Sequence, residues 1–319
     1  MPYRRRPAVA AFIFGVATAV GVAAAAVVTV GCTRDRADAA LTFGVAIAVA
    51  PDGTIYALDR KDGQVLEVRG NAVRQAFAVD LPGGLSMMAV DAAGRVLVAN
   101  GSRSDTKVVR VGSDGMRTVV VDDLPHARDL AIAVDGAVLV LAGRPGRVIR
   151  IAPDGTRTHV AGPHDGTDPA VPAGHESRFT EGVDQIGIDT DGTLLVLSRF
   201  RLWRVPVGGQ PELLAGSLDP LSETGSGDAG PAVNALLVDP AAPVATPAGF
   251  FLCDNANRNL RRIDRQGRID TILHFPIREQ CADLAAIPGT SDLVALDQTG
   301  RLRRLSPDGR AQSVLLGRA

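Results

Sequence analysis

The stretch VAIAVAPDGTIYALD, residues 45–59, decides the fold. Two apolar segments flank Pro51-Asp52-Gly53, and Asp-Gly between β-rich runs signals a tight hairpin, because glycine accepts the positive φ that such turns require. The pattern returns at 87–100 (MMAVDAAGRVLVAN), 130–142 (LAIAVDGAVLVLA) and 186–198 (IGIDTDGTLLVLS). Two looser copies follow at 236–254, with Pro247-Ala248-Gly249 at the turn, and at 284–297, with Gly289-Thr290-Ser291.

Each copy continues into a third apolar strand whose last residue falls at 68, 111, 151, 205, 263 and 305, with arginine just before it at Arg110, Arg150, Arg204, Arg262 and Arg304. On a strand of period two, a recurring arginine marks a solvated outer position. Turns such as Ser113-Asp114-Gly115 and Pro153-Asp154-Gly155 then lead to a short fourth strand. The unit is therefore a four-stranded antiparallel meander, and it occurs six times.

The spacings between units are 43, 40, 54, 58 and 42 residues, and the two excesses fall in 163–182 and 217–235, where Gly, Pro, Asp and Ser dominate without strand period. Those segments are expected to be long loops. The second strands are apolar at successive positions, as in Val138-Leu139-Val140-Leu141 and Leu194-Leu195-Val196-Leu197, so both of their faces must be covered. Four-stranded sheets of this kind, repeated about every 42 residues, pack as blades around a channel. The expected fold is all-β, a six-bladed β-propeller over 38–319. Trp203 takes the slot of Val109 and Ile149 and belongs to its core.

Residues 50–68 (APDGTIYALDRKDGQVLEV) and 225–240 (GSGDAGPAVNALLVDP) resemble NHL repeats, and the resemblance covers roughly 45–315. It implies a six-bladed propeller that binds proteins, nucleic acids or small ligands, with a minority of metal-dependent lyases and hydrolases among its relatives. The family usually ends the second strand with aspartate. Asp59, Asp254 and Asp297 follow that habit, whereas Asn100, Ala142 and Ser198 depart from it. No complete catalytic set of the family is recognisable.

Ahead of the repeats, Arg4, Arg5 and Arg6 precede an unbroken apolar run over 8–30, which reads as an export signal or membrane anchor occupying 1–37 with its short linker. The run is long enough to cross a bilayer as a helix. It also ends in Val30-Gly31-Cys32, which resembles a bacterial lipobox with Thr29 in place of the usual leucine. Lipidation at Cys32, an uncleaved anchor helix, and cleavage near Ala37-Asp38-Ala39 all place the propeller on the outer side of the cell membrane.

Lysine and arginine number 34 against 35 acidic residues, and the net charge is −1. No concentrated basic surface marks a nucleic-acid partner. With one Trp and two Tyr, stacking platforms for bases or sugars are scarce as well.

Strand alternation puts the loops between blades and the loops joining strands two and three on one face. His126, His164, His175 and His274 fall there, with Asp59, Asn100, Asp254, Asn255 and Asp297. Such imidazoles and carboxylates could hold zinc or calcium over the channel mouth. Alternatively, each closes its own turn, since a strand-ending aspartate readily accepts nearby backbone N–H groups. Cys253 and Cys281, on neighbouring repeats and near the same face, are a disulfide pair in an oxidising compartment or two buried thiols. The expected function is a non-catalytic module that binds a protein or cell-envelope ligand on the loop-rich face. The other reading is a metal-dependent lyase or hydrolase.

Overall fold

The computed structural model describes residues 44–316 apart from 60–62, 71, 102–104, 164–178, 218–226, 278 and 311. The apolar run 8–30, Cys32, His164 and His175 thus lie outside the described residues. Among the described residues, no helix is long and apolar enough to cross a membrane.

Six sheets follow one another along the chain. Blade 1 comprises β1 (Gly44–Val49), β2 (Ile55–Asp59), β3 (Gln64–Arg69) and β4 (Ala72–Ala78). Blade 2 comprises β5 (Leu85–Val90), β6 (Val96–Asn100), β7 (Thr106–Val111) and β8 (Arg117–Leu124). Blade 3 has β9 (Ala127–Ile132), β10 (Val138–Ala142), β11 (Arg147–Ile151) and β12 (Arg157–Ala161). Blade 4 has β13 (Gln185–Ile188), β14 (Leu194–Ser198), β15 (Arg201–Val205) and β16 (Glu212–Ala215). Blade 5 has β17 (Gly230–Pro231), β18 (Pro240–Thr246), β19 (Gly249–Asp254), β20 (Asn259–Ile263) and β21 (Arg268–His274). Blade 6 closes the ring with β22 (Cys281–Ala286), β23 (Leu293–Asp297), β24 (Leu302–Leu305) and β25 (Gln312–Leu316).

The uniformly apolar second strands divide their side chains between two cores. From β10, Val138, Val140 and Ala142 pack toward blade 2, while Leu139 and Leu141 pack toward blade 4. That is why these strands show no polar alternation. Each sheet draws its four main strands from consecutive chain, so the ring closes by packing, not by a shared sheet. At the closure, Ile47, Ile55, Ala57 and Val68 of blade 1 meet Ala285, Val294, Leu296 and Leu302 of blade 6. Truncating a buried leucine in such a core costs about 2–5 kcal/mol.

The two long insertions end inside the core. Phe179 is fully buried and meets the Trp203 ring edge-on, with centroids 5.8 Å apart. Ala232, Ala235 and Leu237 are fully buried between blades 4 and 5. Contrary to the expectation of a plain loop over 217–235, β17 adds a fifth strand to the outer edge of blade 5, supported by Ala229 N–H and Ala232 N–H donating to Ile269 and Gly267 carbonyls at 2.8 Å. A two-residue pairing is too short to leave a period in the sequence.

On the face carrying the first hairpin turns, the recurring arginine of the third strand reaches the first turn of its own blade. Arg204 donates to Asp189 at 3.0 Å and also to Asp191, and Arg304 donates to Asp292 at 2.7 Å. Arg150 does the same to Asp135, Arg110 lies 3.7 Å from Asp91, and Arg262 donates to the Ala248 carbonyl at 3.0 Å. In blade 1 the charge is exchanged: buried Glu67 holds this position and accepts from Arg74 at 2.7 Å.

Candidate functional site

The innermost strands β1, β5, β9, β13, β18 and β22 each lie at a sheet edge, so one row of backbone N–H and C=O groups faces the axis without a ladder partner. They enclose a central cavity of about 540 Å³. Near their starts, where the chain enters from the loop-rich face, register shifts occur at Gly44/Ala46, Leu85/Met87, Ala241/Val244 and Cys281/Asp283, and opposite Leu141/Ala142 on β9. An extra residue there twists the strand and re-aims the side chain beside it.

Two aspartates follow such bulges. Asp129 accepts Leu130 N–H on one oxygen and Ile186 N–H of blade 4 on the other, both at 2.8 Å. Asp283 repeats the arrangement with Leu284 N–H and with Ile47 N–H of blade 1, again at 2.8 Å. Gln185 Oε1 accepts Ala242 N–H of blade 5 at 2.5 Å. Each side chain therefore caps an edge amide of the next blade, and Asp283 does so across the ring closure.

Blades 3 and 6 stand half a turn apart in a six-membered ring, so the two carboxyl groups come from opposing walls. Burial pushes the Asp129 carboxyl up to about 6, against its two N–H bonds and the Arg128 charge. Burial pushes Asp283 further, to about 7, against its own N–H bonds and with a further upward contribution from Asp129. Among the described residues, neither carboxyl forms an ion pair. Arg128 is drawn away, donating to the Val183 and Asp184 carbonyls at 3.0 and 2.9 Å. Toward the hairpin-turn end, the lining turns apolar with Val49, Val90, Ile132 and Ile188.

The candidates named from the sequence are spread around the loop-rich rim, each engaged locally. Asn100 donates to the Pro82 carbonyl at 2.6 Å and accepts Lys107 N–H at 2.7 Å. Asp254, fully buried, accepts Val238 N–H at 2.8 Å, Asn257 at 2.9 Å and Arg261 at 3.2 Å. Burial raises its carboxyl despite those donors. Asp297 accepts Thr299 N–H at 2.9 Å and Arg301 N–H at 3.1 Å. Asp59 is buried at the end of β2, opposite Gly44 and Gln64. Asn255 sits in the following turn of blade 5 and donates its backbone N–H to the Asp239 carbonyl. His126, at a left-handed φ of 48°, accepts from Arg144 at 2.8 Å, and His274 Nδ1 meets the Asn259 side-chain amide at 2.7 Å. Among the described residues, no three His, Cys, Asp or Glu side chains converge as a metal site. Cys253 and Cys281 are joined, their Cα atoms 6.0 Å apart, linking blade 5 to blade 6.

Asp129 and Asp283 were not among the sequence candidates. Their signal is the triplet Asp-Leu-Ala at 129–131 and again at 283–285, in the same register of repeats three and six. A repeat counted from Leu130 and Leu284 leaves the aspartate just outside it.

No family model matches the chain, and no curated protein does. Solved structures resemble it in fold. A virginiamycin B lyase from Staphylococcus aureus superposes with a TM-score of 0.56 at 14% identity, covering 86% of this chain and 84% of its own. A gluconolactonase from Xanthomonas campestris gives 0.59 at 15% identity, covering 86% and 87%. An auxiliary nutrient binding protein from Bacteroides thetaiotaomicron gives 0.61 at 12% identity, covering 83% and 69%. The six-bladed fold is what they share. At such identities it carries no activity with it.

Proposed function

We propose that the chain is an extracytoplasmic binding module of NHL type, tethered at its N-terminus through Cys32 or the apolar run, which takes a cell-envelope ligand at the channel mouth on its loop-rich face. The observation that carries this reading is the cavity itself, walled by all six blades, with opposing carboxyls near the mouth and apolar residues beneath. A concave site with a few placed polar groups over apolar walls suits ligand capture.

Native mass spectrometry of the full-length protein, extracted from membranes in mild detergent, tests the reading. A co-purifying molecule should be present in the wild type and absent from a protein carrying Asp129→Asn and Asp283→Asn. Equal loading of the two proteins, or an empty wild type, would contradict it.

One observation favours a second reading, a lyase or hydrolase. Carboxyls at about 6 and 7 lie in the range where one side chain can give or take a proton near neutral pH. Asp283 would then be the acid and Asp129 the base. Turnover of the co-purified molecule by the wild type, abolished by either substitution, would support this reading over simple binding. For a calcium or zinc ion, the described residues of the channel offer two carboxylates on opposing walls, and further ligands would have to come from elsewhere.

A further inference from the structure

The six innermost strands carry three charged residues in all: Arg128, Asp129 and Asp283. Arg128 is spent on the rim, where it also lies 3.9 Å from the Asp184 carboxylate. The cavity lining thus carries one guanidinium and three carboxyls: Arg128 lies toward Asp184, while Asp129 and Asp283 are each braced by two backbone N–H donors with no guanidinium in bonding contact, among walls that include valine and isoleucine. Charges removed from water without a partner are costly, and the single cation of the lining, Arg128, is set against three carboxyls, so the cavity lacks positive charge when Asp129 and Asp283 are ionised.

The same strands present N–H and C=O groups of their free edges to the axis; Asp283, Asp129 and Gln185 take up the Ile47, Ile186 and Ala242 N–H donors, while the edge carbonyls accept hydrogen bonds and donate none. A guest that suits this lining is a donor-only cation with an apolar body. An ammonium group has three donors and no acceptor.

We propose that the channel binds a small organic amine, its ammonium held between Asp129 and Asp283 and its apolar body lying against Val49, Val90, Ile132 and Ile188. This rests on the binding-module reading and names the ligand class of that site. A multivalent metal ion fits less well, because the opposing walls supply one carboxylate each, Asp184 lies toward Arg128, and among the described residues no three acidic, histidine or cysteine side chains converge.

Protonation of the two aspartates competes with the ligand. Asp129 is faced by Asp283 across the channel and by Arg128 on its own strand, with Asp184 beyond that arginine. Asp283 is faced by Asp129, and β1 and β22 bring no other charge. Affinity should therefore rise with pH through the range 6 to 7 and level off above it.

Isothermal titration of the full-length protein with n-hexylamine tests the proposal, with 1-hexanol, calcium chloride and empty detergent run in parallel. Saturable one-to-one binding of hexylamine is expected, at least tenfold tighter than hexanol, with protons released at pH 6.5. Asp129→Asn and Asp283→Asn should each weaken it tenfold or more, whereas Asp123→Asn, which breaks an exposed pair with Arg157, should not. The wild-type pH profile needs no variant and guards against a folding defect.

No saturable heat, equal binding of hexanol, or stoichiometric calcium that displaces hexylamine would each overturn the amine assignment. If hexylamine fails while the native protein still carries a neutral or anionic molecule lost in the double variant, the amine falls and the module reading stands. If the native protein is empty as well, both fall.

Discussion

The propeller uses aspartate in two opposite ways. At the turns between first and second strands, Asp135, Asp189 and Asp191 sit beside arginines and turn amides. The Ala137 N–H, with Arg150 in support, holds Asp135 below the usual carboxylate range. Burial alone would raise Asp189, yet Arg265, Thr190 N–H and Arg204 outweigh it and the net shift is downward. The Thr193 N–H and Arg204 lower Asp191. In the channel, Asp129 and Asp283 also accept two N–H groups apiece, yet both shift upward. The difference is the balance of burial against bonded cations: two guanidiniums bond Asp189 and outweigh its burial, whereas no guanidinium bonds Asp129 or Asp283 and burial prevails, as it does at fully buried Asp254 even with Arg261 at 3.2 Å. The turn aspartates are thus complete within the protein, and the channel aspartates are left for something outside it.

The largest test of this contrast removes a completed charge. Asp189→Ala strips Arg204 and Arg265, which come from two different blades, of a shared buried acceptor, and breaking such a buried pair costs roughly 3–5 kcal/mol. Denaturant titration should show a loss in that range, with the blade 4–5 interface affected first in hydrogen exchange.

A smaller effect, of changing sign, is expected from Asp283→Asn. At pH 8 it removes an uncompensated charge, so stability should equal or exceed that of the wild type, by on the order of 1–3 kcal/mol once the screening by water in the channel is allowed for. At pH 5, where the wild-type carboxyl is already neutral, the variant should be the less stable one, because an amide accepts on one oxygen only. Thermal melts at the two pH values check the crossing.

The wild type should carry the same signature more faintly. Asp129 and Asp283 have folded values of about 6 and 7, above an unfolded value near 4, so the native state binds protons more tightly. Their contribution is full below pH 4 and is lost as pH rises through 6 and 7. The lowered turn aspartates act in the other direction, stabilising above about pH 4 and losing that contribution as pH falls through their folded values. The two sets together place the stability maximum on the acid side of neutrality, between roughly pH 4 and 6. The smallest effect is expected from Arg304→Ala, whose pair with Asp292 is half exposed, at about 1 kcal/mol or less.

The fold was open to reading because its determinants are local and repeated. Asp-Gly turns, doubly apolar second strands and the arginine of the third strand recur in register. The third strands of blades 2 to 6 end at the positions from Val111 to Leu305 that their spacing indicates, and that of blade 1 runs one residue past Val68. β17 escaped because two residues have no period, and Phe179 because one aromatic residue in a Gly- and Pro-rich stretch gives no sign of its partner Trp203. The channel site escaped for a different reason. Asp129 and Asp283 are far apart in the chain, in repeats three and six, and only closure of the ring sets them on opposing walls. What makes them distinctive is deep burial without a bonded guanidinium, and a sequence does not display burial at a place the fold has yet to create. The rim residues from Asp59 to Asp297 stand out in sequence because they recur, and Asn100, Asp254 and Asp297 close turns there.

The most direct test is a carbon-detected NMR titration of the aspartate carboxyls in the full-length protein, with Asp129 and Asp283 assigned by substitution. Asp283 should titrate near 7 and Asp129 near 6, and both should fall toward ordinary values when n-hexylamine is added. Two carboxyls titrating near the ordinary aspartate value of about 4 without the amine, or unmoved by it, would contradict the account.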